Sequence, residues 1–322
     1  SDPGTPPRYE PARQLADQLG RMADYRDCLA GLLAAARRDS DAHIRCELLL
    51  RLGEVSKLSE AFDEAADFYL QAEATGVRKV DVWRAQARLA AARGDRELQM
   101  VLLEQLVSLG ADQAETRADA FYRMAEVHLA DESTVGEGVE ALARALEESP
   151  HYERAGMILR RACEAHPPRN DLLDLYELVA RKSTDQGMLL HYLERRASQS
   201  DGDVLATIAI AREGVELGIE LYEWERAEAL LMRAIALGEE APEGLASVDW
   251  AMLTLARRRH ETGDAAGAVK WLGEAIDVAV SDEVLENLHQ FSEGKENDLF
   301  QLIINEITVD KPTLKERSKK IL

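Results

Sequence analysis

The sequence predicts an all-α fold, in which antiparallel helix pairs stack one after another as a solenoid. The main observation is a recurring spacing: a small residue, a large apolar residue four positions later, and alanine three positions after that. Its clearest copies are Ala65, Tyr69 and Ala72; Ala227, Leu231 and Ala234; and Ala268, Leu272 and Ala275. Offsets of four and three place all three side chains on one helix face, and alternation of small with large residues lets a neighbouring helix approach closely.

Looser copies of the same spacing occur twice, at Cys28, Leu32 and Ala35 and at Gly138, Leu142 and Ala145. The second observation is the placement of proline, which is absent between Pro11 and Pro150 and later falls only between apolar-periodic segments. Together these patterns predict helices, in chain order, over residues 9–22, 24–38, 41–57, 59–75, 79–93, 95–109, 113–130, 135–148, 150–165, 168–182, 184–198, 203–221, 223–237, 245–262 and 264–279. No segment alternates as a strand would.

The helix pairs resemble tetratricopeptide repeats, a helix-turn-helix family with a period near 34 residues. The family places a large residue, leucine and a small residue in the first helix, a glycine turn next, and alanine, a large residue and alanine in the second helix. The last clear copy here is Met252, Leu255, Ala256, Gly263, Asp264, Ala268, Leu272 and Ala275. Earlier copies run through Leu49, Leu52 and Gly53, through Trp83, Gly94 and Asp95, through Phe121, Met124 and Ala125, and through Trp224. The resemblance implies a right-handed α-solenoid, a superhelix whose first helices line the concave side.

The resemblance also divides the chain. Residues 1–8 are expected to be a disordered or tag-like start, followed by repeats over 9–150, divergent helical repeats over 151–209 and further repeats over 210–279. Alanine disappears from about Val280 onward, and an apolar stripe near residues 296–307 predicts that 280–307 cap the array. Residues 308–322 form a basic tail. An appended foreign segment is the alternative for this last region.

The charge balance excludes two classes of partner. The chain carries 39 Lys and Arg against 60 Asp and Glu, for a formal net charge of -21. Such a molecule repels phosphate backbones and anionic lipid surfaces, so neither nucleic acid nor membrane is expected as a partner. A protein or peptide partner fits better, with a basic one as an option. The alternative is that the acidity only keeps the protein from associating with itself.

Cysteine usage points to a reducing compartment. Cys28, Cys46 and Cys163 match neither a metal site nor a redox pair, and we interpret them as buried small residues. Unpaired thiols favour the cytoplasm, with a removed targeting signal as the alternative. No stretch approaches the roughly 18 to 20 apolar residues that a membrane-spanning helix needs.

Two sequence motifs suggest binding chemistry but lie in the wrong context for it. Gly136, Gly138 and Ala141 match a dinucleotide-binding pattern, yet they follow a predicted helix where that site requires a strand. Arg93, Gly94 and Asp95 spell an adhesion tripeptide. We interpret this Gly-Asp pair, which recurs at positions 263 and 264, as a helix turn in which aspartate caps the next helix.

Metal and nucleophile signals are also weak. Asp39, Asp41 and His43 begin like a calcium loop, but Ile44 and Leu50 occupy positions that need glycine and glutamate. The seven histidines include no pair at the spacing that places two imidazoles on one helix face for zinc. No serine or cysteine stands in a recognisable nucleophile pattern. The sequence therefore predicts no catalytic site, no cofactor and no metal.

Candidate partner-binding residues follow from the resemblance, which places the first helix of each pair on the concave side. They are Arg84, Arg88, Tyr122, Glu126, Arg257 and His260. Arginine offers planar donors for carboxylates, and tyrosine offers a rigid amphipathic surface. The alternative for Tyr122 is packing between repeats. The Lys and Asn set with which some family members hold a C-terminal carboxylate is not apparent.

Three functions remain open at this point. The leading hypothesis is a non-enzymatic scaffold that binds a segment of a partner protein on the concave face of the array. The second is a sensor or regulatory arm of a larger protein whose catalytic or membrane part lies outside this chain. The third is an enzyme site for a small molecule inside the concave channel.

Overall fold

The computed structural model describes residues 10–36, 42–199, 203–240 and 248–278. These ranges contain fifteen α-helices and no strand, and within each of two compact units the helices that follow one another in the chain pack together. The predicted all-α array of helix pairs is therefore confirmed. The expected N-terminal segment, the C-terminal cap and the basic tail lie outside the described residues.

The helices fall into two compact units, which meet in the sequence between His151 and Tyr152. The helices of unit 1 are α1 (Glu10–Gln18), α2 (Met22–Ala35), α3 (Ala42–Leu58), α4 (Phe62–Glu73), α5 (Lys79–Arg93), α6 (Arg96–Val107), α7 (Ala114–His128) and α8 (Val135–Glu148). Those of unit 2 are α9 (Tyr152–Ala165), α10 (Asn170–Lys182), α11 (Gln186–Ala197), α12 (Val204–Glu220), α13 (Trp224–Glu240), α14 (Asp249–Glu261) and α15 (Ala265–Val278). Short 3-10 turns precede α7 and α8.

Every predicted helix is present, and the differences lie at the ends. The first one was expected to continue to residue 22 but ends at Gln18. Gly20 adopts a φ of 65°, in the left-handed region that breaks a helix. Glu60 has a φ of 59° and delays the start of α4 to Phe62 in the same way.

The small-large-small spacing packs as predicted in unit 1. Ala65, Tyr69 and Ala72 on α4 are buried. Gly53 of α3 lies directly against the ring of Tyr69, since a Cβ at that glycine would stand 2.3 Å from the Cε1 atom of the tyrosine. The second helix of the pair thus inserts its large residue where the first helix has no side chain, which brings the two backbones close together.

The two Gly-Asp turns have the predicted geometry. Gly94 and Gly263 have φ values of 75° and 82°. The carboxylate of Asp95 accepts a hydrogen bond from the N–H of Leu98 at 3.1 Å, as expected of a residue that caps a helix. Asp264 accepts from the N–H of Gly267 at 2.9 Å. The interpretation of this motif as a turn is confirmed.

The predicted register of α2 is wrong. Cys28 and Leu32 are exposed, and the buried positions are Tyr25 and Leu29. These two side chains pack on α3 in a cluster that includes Leu52. Helix α2 carries two neighbouring apolar stripes, and the stripe with the tyrosine faces the core because its larger side chains remove more apolar surface from water. The other two cysteines, at positions 46 and 163, are buried as expected.

Unit 2 repeats the same packing. Helix α9 has the recurring spacing at Ala155, Leu159 and Ala162, and all three are buried. Arg226 on α13 reaches back to Glu194 on α11, with two N to O distances of 2.6 Å. The part of the chain that departs furthest from the family pattern therefore still packs as successive helices. Across the described ranges, no helix combines the length and apolarity needed to cross a membrane.

Arginine bonds that join residues 31 or 32 positions apart recur in both units. Four of them end on a carboxylate: Arg117 to Glu148, Arg181 to Glu213, Arg226 to Glu194, and Arg259 to Glu228. The bond from Arg117 to Glu148 joins the two helices of one pair, α7 and α8, whereas the other three connect a helix to one in the next or preceding pair. Ion pairs that keep some contact with solvent add little stability each, but they mark which side chains adjoin from one helix to another.

Candidate functional site

A cavity of about 420 Å³ opens in unit 1 on the side formed by the first helices of successive pairs. We call it the arginine cavity, because five arginines line it. Its lining residues are Glu10, Arg13, Tyr25, Leu50, Arg51, Glu54, Val55, Leu58, Arg78, Asp81, Arg84, Ala85 and Arg88. A volume of this size suits a small molecule or a few side chains of a peptide.

Helical spacing explains how the lining residues come together. On α3, Arg51, Glu54 and Leu58 follow one another at intervals of three and four residues and so share one face. On α5, Arg84 and Arg88 are also four residues apart. Because α3 and α5 are the first helices of neighbouring pairs and contact each other, the two faces stand side by side and both line the cavity.

Several of the charges in the cavity are already paired. Arg13 holds Glu10 at 2.6 Å, and Arg78 holds Asp81 at 2.8 Å. Arg51 lies 3.4 Å from Glu47. The hydrogen bond from Arg13 lowers the pKa of Glu10 below its usual range, so this carboxylate stays ionised. Three of the five arginines in the cavity therefore already have a carboxylate partner.

Arg84 and Arg88 differ from the three paired arginines in the groups that they contact. The Nη2 atom of Arg84 donates to the hydroxyl of Thr116 on α7 at 2.8 Å. Its Nε atom is buried and has no hydrogen-bond partner among the residues that the structure describes. Arg88 is exposed, and neither arginine forms an ion pair with a carboxylate in the described ranges. Two arginines that line the cavity therefore have no described carboxylate within ion-pair distance.

Of the six candidate residues, the structure brings Arg84 and Arg88 together in the arginine cavity. Glu126 is exposed on α7 but does not line the cavity. Arg257 and His260 belong to α14 in unit 2, where the arginine is exposed and the histidine is half-buried. Their role as partner-binding residues stays a prediction.

Tyr122 is not exposed, which corrects its assignment to an open face. Its relative exposure is 0%. Its hydroxyl accepts a hydrogen bond from the N–H of His151 at 3.0 Å and donates to the carbonyl of Ser149 at 3.2 Å. The recurring spacing gives the reason, since Ala118, Tyr122 and Ala125 form a further copy of it and all three are buried. The alternative, packing within the array, is what the structure shows.

Sequence reasoning missed three arginines of the cavity. Arg13 and Arg78 stand near helix starts, outside the repeat positions that were compared. Arg51 had a usable signal, because it precedes Arg84 by about one repeat length and therefore occupies a similar place on the preceding first helix. A search for arginine recurring on first helices would have found it.

The glycine motif of α8 has a packing role. Gly138 lies within the helix, and a Cβ at this position would meet the side chain of Leu129 at 2.6 Å. Its smallness thus permits contact with the end of α7. In the portions of the chain covered by the structure, no group of three or more His, Cys, Asp or Glu side chains could hold a metal ion.

Unit 2 contains a buried polar cluster that differs from the arginine cavity. The hydroxyl of Tyr176 lies 3.0 Å from the Nδ1 atom of His191. Burial lowers the pKa of His191, and the positive charge of Arg160 lowers it further. Burial also raises the pKa of the nearby Cys163 thiol to about 11, which opposes formation of the reactive thiolate. The cluster therefore has the properties of core packing.

The lowered pKa of His191 makes the stability of unit 2 depend on pH. The unfolded chain binds a proton at this histidine near its usual pKa of 6.5, whereas the folded chain binds it only at lower pH because burial lowers the pKa. The free energy of unfolding should therefore fall as the pH is lowered through 6.5 toward the folded pKa. We expect His191→Gln to reduce this slope in urea titrations between about pH 7.5 and 5.5. Equal slopes for both proteins would contradict the assignment.

Comparisons with known proteins leave the family open. No protein-family model matches the chain, and no curated protein matches it. Among solved structures, the chain is similar to one described as "Circular tandem repeat protein with novel repeat topology and enhanced subunit contact surfaces". The two share 16% sequence identity over 94% of this chain and 77% of that chain, with a TM-score of 0.21. A similarity at this level carries no argument about function, and membership of the tetratricopeptide repeat family stays a prediction.

Proposed function

We propose that this chain is a non-enzymatic interaction scaffold, whose first-helix side in unit 1 binds a segment of a partner protein. The observation that carries the proposal is the arginine cavity, which is formed jointly by α1, α3 and α5. A surface assembled from several packed helices exists before the partner arrives, so little ordering of the scaffold opposes binding.

The lining chemistry suits recognition. Arginine is enriched at binding hot spots because its planar donors make several directed hydrogen bonds. Leu58 adds an apolar surface that is 55% exposed at the edge of the cavity. A site that combines directed polar groups with an exposed apolar edge favours a peptide segment with mixed side chains over a uniformly polar ligand.

The test uses the full chain as bait in affinity capture, followed by calorimetry with each partner that mass spectrometry identifies. We expect Arg84→Glu combined with Arg88→Glu to weaken binding at least about tenfold, since both substitutions invert charge inside the contact. The matched control combines Arg93→Glu with Arg144→Glu, two exposed arginines of unit 1 outside the cavity. A partner that binds the cavity variant and the wild type equally well would reject this location for the function.

A further inference from the structure

The arginine cavity has the opposite charge balance to the rest of the molecule. Five arginines and three carboxylates line it, whereas the whole chain carries 39 basic and 60 acidic residues. A local surplus of positive charge inside a strongly acidic protein attracts anionic groups to this place and repels them elsewhere. The cavity is thus suited to hold an acidic ligand.

Two arginines at equivalent places in the array, Arg181 and Arg84, have different partners. Arg181 on α10 reaches 32 positions forward to α12 and pairs there with Glu213 at 2.7 Å. Arg84 on α5 likewise reaches 32 positions forward, to α7, but meets the neutral hydroxyl of Thr116. The same relation between helices therefore gives Arg181 a carboxylate partner and gives Arg84 only a neutral one. The buried Nε–H of Arg84 lacks an acceptor within the described part of the chain.

We propose that the arginine cavity receives an acidic peptide segment, whose carboxylates bind Arg84 and Arg88 and whose apolar side chain contacts Leu58. This inference rests on the scaffold function proposed above and specifies the chemistry of its partner. A carboxylate matches the fork of a guanidinium and offers the ionised acceptor that the neutral hydroxyl of Thr116 does not. Arg84 and Arg88 are four residues apart on one helix face, so the segment presents two carboxylates about one helical turn apart.

The binding test uses fluorescein-labelled synthetic peptides and the purified full chain, with anisotropy as the readout. The acidic probe contains only glutamate and leucine; in two matched probes, glutamine or lysine replaces every glutamate. We expect the acidic probe to bind at least about tenfold more tightly than either matched probe, with an affinity that declines as salt is added. Equal affinity for the glutamine probe would overturn the proposal, as would preference for the lysine probe.

Two variants test whether the charges of Arg84 and Arg88 cause the binding. Arg84→Gln combined with Arg88→Gln removes both charges, and Thr116→Glu keeps both arginines but gives Arg84 the kind of partner that Arg181 has. We expect each to weaken binding of the acidic probe at least about tenfold, while Arg93→Gln with Arg144→Gln leaves it unchanged. Circular dichroism confirms that each variant is folded. Folded cavity variants that bind the acidic probe as tightly as the wild type would overturn the proposal.

Further outcomes separate this inference from the scaffold function. Succinate that competes at the same concentration as the peptide would identify a small dicarboxylate as the ligand and overturn the peptide assignment. If captured protein partners depend on Arg84 and Arg88 but the acidic probe does not bind, the scaffold function stands and the acidic preference fails. If neither the partners nor the probe depends on these arginines, both proposals fail.

Discussion

Replacing Tyr122 with alanine is expected to lower the free energy of unfolding of unit 1 by about 3 to 5 kcal/mol. The ring is fully buried on α7, so its removal leaves a cavity as well as losing the transfer free energy of the aromatic side chain. The hydroxyl also accepts from the N–H of His151 and donates to the carbonyl of Ser149. Both groups follow the end of α8, so this one side chain holds that end against α7.

Tyr122→Phe separates the two contributions. It keeps the ring and removes only the hydroxyl, for an expected loss of about 1 kcal/mol. Hydrogen exchange read by mass spectrometry on peptides from α7 and α8 measures the local opening free energy for both variants. A Tyr122→Ala protein with wild-type protection in these helices would show that the tyrosine is not part of the core. It would also restore Tyr122 as a candidate for partner binding.

Replacing Ala227 with leucine is expected to cost about 2 to 3 kcal/mol, because α12 and α13 have no room for a larger residue where they touch. Gly218 of α12 faces Ala227 so closely that a Cβ on the glycine would stand 3.2 Å from the Cβ of the alanine. Near the same contact, a Cβ on Gly214 would lie 2.6 Å from Leu230. The added isobutyl group must therefore displace one helix or adopt a strained rotamer.

The control for Ala227→Leu is Ala229→Leu on the same helix. Ala229 is exposed, so leucine there is expected to change stability by less than about 0.5 kcal/mol. Chemical denaturation of the two variants, followed by circular dichroism, compares them directly. If both substitutions have the same effect, the close approach of α12 and α13 does not determine stability at this position.

The fold could be predicted from the sequence because its determinants are local. The spacing of Ala65, Tyr69 and Ala72 is set by the helical period alone, and so is the face on which they lie. A turn such as Gly94 and Asp95 likewise depends on the conformational freedom of glycine and on a capping side chain within a few residues. Such features require no knowledge of which helices meet.

The site was predicted less completely because it depends on contacts between helices. Arg84 and Arg88 were found from their helix, but their link to Arg13 and Arg51 requires knowing that α1, α3 and α5 adjoin. The misplacement of Tyr122 has another cause. The family pattern aligned its large residue with Phe121. The small-large-small spacing that predicted the fold also occurs on this helix, beginning at Ala118, and it places the tyrosine in the core.

The links between residues 31 or 32 positions apart have a consequence for how the chain reaches its native state. Within each unit, partners in space are also close in sequence, so short loop closures suffice and a low contact order favours rapid folding. Each helix pair can serve as a template on which the next one docks. A substitution that destabilises one pair therefore affects chiefly the pairs that flank it. The array can thus tolerate substitutions within an individual repeat, as long as the side chains of the neighbouring repeats still fit against it.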